Sequence, residues 1–179
     1  MAAGDLTTLQ KVKLALGIKT AEADPFLRQL ITSSSAWIKS YLNRDVLTAS
    51  YTRTFDGRGG KAIPLPQYPV TAVTSVVVDG ATLAATQYVL QDDAVWRLDG
   101  AVFPKGAGRC VISWTAGYAA APEEVDRACV ELVMWRYKEI PNMKTSSKVI
   151  GGETINFQTT PMPSQVEQVL KQWRNVVPR

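Results

Sequence analysis

The feature that most constrains this chain is a hydrophobic period that changes twice. Apolar residues recur at three- and four-residue steps, then at two-residue steps, then at three and four again. A helical stripe needs a second surface to bury it, and short helices supply that surface only for one another. The two ends are therefore expected to pack together as a small helical bundle, with the middle third inserted as an antiparallel β subdomain and a long extended loop near the end. The fold class is α+β. The expected divisions are residues 1–49, 50–118 and 119–179.

At the N-terminal end, Asp5 is the predicted cap of a first helix with Leu6, Leu9, Val12 and Leu16 on one face and Gly17 as its stop. A second helix starts at Asp24-Pro25, with Asp as cap and Pro at the first helical position. Its stripe runs through Leu27, Leu30, Ile31, Ser34, Trp37, Ile38, Tyr41 and Leu42.

Between Ser50 and Tyr118 the pattern is that of strands. Tyr51, Arg53 and Phe55 alternate with Thr52, Thr54 and Asp56, and Asp56-Gly57-Arg58-Gly59-Gly60 reads as a hairpin loop. Val73 and Val76 to Val78 precede a turn at Asp79-Gly80. Two further runs, Tyr88 to Leu90 and Val95 to Leu98, flank Gln91-Asp92-Asp93, and Arg109 to Trp114 forms a last strand.

Helix returns at Pro122, where Glu123, Glu124 and Asp126 suit the positive end of the dipole. Val125, Cys129, Leu132, Val133 and Arg136 mark its stripe, and Ile140-Pro141 ends it. Residues 141–163 show neither period, the mark of a functional loop or of a segment that orders on binding. A final helix is predicted from Ser164, with Ser-Gln-Val-Glu as a capping box and Val166, Val169, Leu170, Trp173 and Val177 as its face.

The 179 residues contain no histidine, which removes Ser-His-Asp and Cys-His nucleophile systems, His-ligated metals and imidazole proton shuttles. Cys110 and Cys129 are too few for a zinc site or a disulfide framework and read as small buried thiols. Gly57-Arg58-Gly59-Gly60-Lys61 invites a phosphate-loop reading. Phe55 stands where a Walker loop needs glycine, however, and Ala62 where it needs Ser or Thr. Asp92, Asp93 and Asp99 suit turns, and Glu123, Glu124 and Asp126 suit a helix start, better than paired carboxylate chemistry. No catalytic, metal or cofactor residue is expected. Met1 to Asp5 has no basic segment leading into an apolar run, and no window of about 18 apolar residues occurs, so a cytosolic protein that neither is secreted nor spans a membrane is expected.

Residues 1–126 hold 12 basic and 12 acidic side chains, whereas residues 127–179 hold 8 and 4, so the net charge of +4 lies in the last third. That excess is dilute for a nucleic-acid footprint. Trp135-Arg136-Tyr137 cannot all face inward at 100° steps, so both core and interface roles stay open for the helix aromatics, Trp173-Arg174 included.

The order of segments resembles phage head-tail connector proteins, also called head completion or adaptor proteins. The likeness rests on Leu9-x-x-Val12-Lys13-x-x-Leu16-Gly17-Ile18, on Ala36-Trp37-Ile38 and Tyr41-Leu42-x-Arg44, and on Tyr51-Thr52-Arg53-Thr54-Phe55-Asp56-Gly57. It continues through Leu65-Pro66-x-x-Pro69-Val70 and Trp114-Thr115-Ala116-Gly117-Tyr118 with Pro122 and Ala128, nearly the whole chain. The sequence departs from shorter relatives in a larger β insertion, Thr71 to Gly108.

The resemblance implies a non-enzymatic ring of identical subunits, usually a dodecamer, at the virion neck. The ring would assemble in the host cytoplasm, dock under the portal protein after packaging, and receive the tail or a second neck protein. DNA would pass through without specific binding, and no membrane or cofactor would be involved. By position, the arms that reach neighbours and portal correspond to the 141–163 loop, with Lys144, Lys148, Val149, Ile150, Ile155 and Phe157, and to the end, with Trp173, Arg174, Val176, Val177 and Arg179. The competing expectations are a DNA-binding accessory factor of packaging that uses Lys138, Lys144, Lys148, Lys171, Arg174 and Arg179 on one face, and a small enzyme that uses the carboxylates.

Overall fold

Helices form where the apolar stripes predict them. The structure is a computed structural model; it describes residues 4–139, 147–150, 153–156 and 162–174, with 147–150 and 153–156 described by backbone alone. The chain divides into two compact units, one made of Met1–Arg44 with Ala121–Arg179, the other of Asp45–Ala120. The expected α+β class, with helices at both ends and an antiparallel β insertion, is what the chain adopts.

The helical unit contains α1 (Leu9–Leu16), α2 (Asp24–Leu42), α3 (Glu123–Glu139) and α4 (Ser164–Trp173). α2 packs on α1, α3 and α4, and α3 on α1 and α4. The inward stripe includes Val12, Leu27, Ile31, Ile38, Leu42, Val125, Leu132, Val133, Val166 and Leu170, all buried. Each such side chain contributes roughly 1.5–3 kcal/mol relative to exposure. One buried polar chain links α1's approach to α2 and α3: the Leu6 amide donates to Ser35 Oγ at 2.9 Å, and that hydroxyl lies 3.6 Å from Cys129 Sγ. Burial pushes the Cys129 thiol up to about 12.

Three helix starts differ from expectation by a few residues. Thr8, not Asp5, caps α1, accepting from the Lys11 amide at 3.2 Å; Asp5 instead accepts from Thr32 Oγ1 at 3.0 Å. Asp24 is the first residue of α2, after an Ala23 cap. The capping box at Ser164 does not form, because Pro163 is the cap and Glu167 pairs along the helix with Lys171 at 2.9 Å.

The β unit holds two sheets. β1 (Ala49–Gly57), β7 (Gly106–Ala116), β3 (Val70–Val78) and β4 (Ala81–Thr82) form the first, in that order, with β7 paired to both β1 and β3. β2 (Ala62–Pro64), β6 (Ala94–Arg97) and β5 (Tyr88–Gln91) form the second, again in that order. The core gathers Ile63, Leu65, Val76, Val95, Phe103 and Ile112 around Trp114, whose ring meets Tyr51 at 5.5 Å and Phe55 at 5.9 Å.

The Gly57–Gly60 segment is not a hairpin loop, since β1 and β2 belong to different sheets. It crosses between them, tied by the Gly59 amide to Phe103 O (3.0 Å) and by the Phe103 amide to Gly60 O (2.8 Å). Gly57 permits this approach, because a Cβ there would stand 1.7 Å from Pro104 O. Gly117 is needed for its φ of 109° as well as for space, with Leu47 O 2.5 Å from any Cβ.

The segment read as an unpatterned loop carries a two-stranded antiparallel ribbon, β8 (Ser147–Ile150) with β9 (Glu153–Asn156), in which Lys148 stands opposite Ile155.

Candidate functional site

α4 has ten residues and buries only Val166 and Leu170 among those described, so its end needs other anchors. Aromatic rings and arginines provide them. Trp173 Nε1 donates to Glu124 Oε2 at 2.8 Å, and the guanidinium of Arg44 lies 5.6 Å from the Trp173 ring centre. Arg44 is only 5% exposed and follows Asn43, the left-handed cap of α2, where the negative end of the helix dipole favours a cation.

One turn earlier on α2, Tyr41 takes the guanidinium of Arg174 at 5.4 Å. Tyr41 stacks on Trp37 at 5.4 Å with 18° between the planes. Arg136 sits over the other end of this row, 5.7 Å from the Trp37 ring, and Nη1 donates to Ser34 Oγ at 3.0 Å. Burial lowers the Arg136 pKa from its ordinary value, although it stays a cation at any physiological pH. Each stack is worth about 0.5–1 kcal/mol where exposed. Arg174, Tyr41, Trp37 and Arg136 therefore make a ladder on the helical unit, with Trp173 and Arg44 beside it. Tyr137 meets Phe26 at 6.2 Å, so Arg136 and Tyr137 each reach a ring on α2 and neither is simply outward-facing.

Of the residues expected to bind partners, Trp173 and Arg174 are thus turned onto their own bundle. Lys148, Val149, Ile150 and Ile155 occupy the β8–β9 ribbon, opposite Ile155, Thr154, Glu153 and Lys148 respectively. Lys144, Phe157, Val176, Val177 and Arg179 lie outside the described residues. Among the cations considered for a DNA surface, Lys171 is paired with Glu167 and Arg174 with a ring, and Lys138 is exposed. Among the described residues there is no cluster of three metal-capable side chains, and no helix is long and apolar enough to cross a membrane.

Sequence reasoning passed over two apolar surfaces. Leu14, off the α1 stripe, is 84% exposed. It borders a shallow, open depression lined by Leu9, Gln10, Lys13, Leu14, Ile18 and Asp24. In the β unit, Trp96 and Leu98 are 40% and 59% exposed, and Val89 is also exposed. A leucine between stripe positions and a tryptophan at the outward phase of a strand were the signals available.

A family model described as head completion protein matches residues 5–176. The fold is shared with a chain from the neck of an empty GTA particle computed with C6 symmetry, at 21% identity and a TM-score of 0.65, covering 100% of this chain and 94% of that one. A chain from the neck of a native GTA particle computed with C12 symmetry gives 19% and 0.64 with the same coverage. One from the virion of a native gene transfer agent particle gives 20% and 0.65, again over 100% and 94%. No curated protein is similar enough to count as a match. With nearly all of its length matched, the chain belongs to the head completion protein family.

Proposed function

We propose that this protein is a structural component of the neck of a phage-like virion. Copies of it form a closed ring, a dodecamer by family analogy, under the portal after DNA packaging, and the ring offers the docking surface for the tail or the next neck protein. The family match over residues 5–176 carries this reading. The fold shared with neck chains from assemblies of C6 and C12 symmetry supports the ring.

In this reading the work is done by surfaces. The 141–163 segment, with Lys144, Lys148, Val149, Ile150, Ile155 and Phe157, and the end beyond Arg174, with Val176, Val177 and Arg179, serve as arms toward neighbouring subunits and portal. Trp173 and Arg174 fix the root of the second arm on the bundle. A closed ring multiplies weak arm contacts by avidity. The balanced charge of residues 1–126 suits a channel that guides duplex DNA without gripping it.

The test is assembly. Deleting residues 141–163, or ending the chain after Arg174, should leave a folded monomer by circular dichroism and yield DNA-filled heads that lack this protein and the tail. Normal incorporation of both variants would overturn the reading of the arms. Tight, steeply salt-dependent binding of the isolated protein to duplex DNA would favour the packaging-factor alternative.

A further inference from the structure

The β unit, Asp45–Ala120, carries six cations and six acids and is neutral as a whole, but the two signs gather at opposite ends. Three acids and no cation lie where the chain enters and leaves. Asp45 opens the unit, and Asp93, next to Asp92, accepts the Val70 amide at 2.7 Å, where Val70 pairs with Ala116 at the end of β7. Arg53 stands mid-strand, and the other five cations lie at the far end. There the 57–61 crossover meets the start of β7, with Gly57 opposite Gly106, and the Arg97 amide donates to Lys61 O at 2.8 Å.

Two of these five cations are neutralised locally. Asp99 takes Arg97, and Asp79 takes Arg109 at 2.6 and 2.9 Å. The third acid of this end, Asp56, accepts the Gly108 amide at 2.7 Å. Arg58, Lys61 and Lys105 are exposed and enter no ion pair among the described residues. Glycine makes room for them: a Cβ at Gly59 would stand 2.9 Å from Lys105 Cε, so the Lys105 stem lies across the crossover next to Arg58. Residues 56–61 and 104–109 include five glycines and no apolar side chain larger than proline. Protein interfaces are built on aromatic and methionine anchors and are depleted in lysine. A tip of lysine, arginine and glycine suits a phosphate backbone instead, which asks for charge and close approach and no apolar pocket.

We propose that the tip formed by Arg58, Lys61 and Lys105 touches the phosphates of duplex DNA without reading its sequence, once per subunit, as the DNA passes through the ring. This inference rests on the ring reading above. One tip binds weakly, at about 10⁻⁴ M at physiological salt, the loose end of non-specific contacts. Repetition around the ring makes the contact effective. The acids at the other end of the unit repel the duplex, so only the tip meets it.

Fluorescence anisotropy of a short mixed-sequence duplex with the full-length protein should show weak binding. Its log K should fall with log salt at a slope of about −2.7, the value for three phosphates. The R58Q/K61Q/K105Q variant should bring that slope close to zero. The K19Q/R28Q/R127Q variant, which removes the same charge from exposed positions of the helical unit, should leave it unchanged. Equal losses in the two variants would overturn the proposal. So would tighter binding of polyglutamate than of DNA of equal charge, which would make the occupant an acidic protein surface. Ala107, in the middle of the tip, is exposed, and native Cys110 and Cys129 are buried, so an aryl azide can be attached to A107C alone. Light should then join it to DNA in filled particles. Electron microscopy of the same particles separates the two readings. Rings without a DNA adduct refute the contact and leave the ring, whereas tip-dependent binding in solution without rings in particles refutes the ring and leaves the phosphate surface.

Discussion

The helical unit and the β unit hold themselves together by different means. The helical unit is assembled from the two ends of the chain, Met1–Arg44 and Ala121–Arg179, and joins them partly through arginines laid on rings. The β unit is one continuous stretch, Asp45–Ala120, with its own apolar core around Trp114 and a central strand, β7, that pairs on both sides. The first depends on chain ends that meet only after folding, and the second does not. Sequence continuity, not size, decides which unit has everything it needs.

The largest expected effect breaks the comparison outright. A fragment of residues 45–120 should fold alone, with a near-ultraviolet signal from Trp114 and a cooperative melt, whereas residues 1–44 should show little stable structure. An unfolded 45–120 fragment would make the β unit a dependent of the helices. Next come substitutions inside each unit. Leu132→Ala removes a fully buried side chain and should cost the helical unit about 2–5 kcal/mol in denaturant unfolding. Gly117→Ala forces a side chain into positive φ against Leu47 O and should cost the β unit about 1–3 kcal/mol or more.

Alkaline pH should weaken both units more gently. Burial raises Cys129 from 9.0 to about 12, so the folded state holds its proton more tightly than the unfolded state. The associated stability is complete below pH 9 and is lost as pH rises through the folded value. In the β unit burial raises Cys110 above 9.0 as well, and Tyr51 is raised from 10.0 to about 12, first by burial and then by Asp45, whose Oδ2 accepts its hydroxyl at 3.1 Å, so that unit should begin to lose stability over the same range, with Tyr51 adding to the loss above pH 10. Cys129→Ala should flatten the helical curve between pH 9 and 12, and an unchanged slope in pH-dependent melts would show that other groups set it. Smallest of all, Trp173→Phe keeps a ring over Arg44 and loses the bond to Glu124, an expected cost of about 1 kcal/mol.

What could be read from the sequence follows the same divide. The stripes of α2 and α3 were legible because a 3.6 period reports which face is buried, and Leu27, Ile31, Ile38, Cys129 and Leu132 all face inward. Helix starts were legible to within a few residues, since Asp5 and Thr8 are both suitable caps and only the tertiary bond from Thr32 shows that Asp5 is used elsewhere. Strand partners were not legible. Alternation at Tyr51 and Phe55 says that one face is buried but not that β1 pairs with β7 instead of β2. The ribbon has only a local signal, two short runs with β-branched residues separated by Gly151-Gly152. The arginine ladder could not be found by spacing, because Arg44 and Trp173 come from opposite ends of the helical unit, on either side of the β insertion.

The Arg44–Trp173 and Tyr41–Arg174 stacks have a mechanical consequence. Any tension applied to the chain beyond Arg174 travels along the backbone and reaches these two links before it reaches the buried residues of α4. Both links attach at the C-terminal end of α2, one to Tyr41 in its last turn and one to Arg44 just past its cap, so the load is passed to a long helix and not to the short one. Stacks of this kind yield at small cost, so the chain end can part from α2 before α4 gives up its buried contacts.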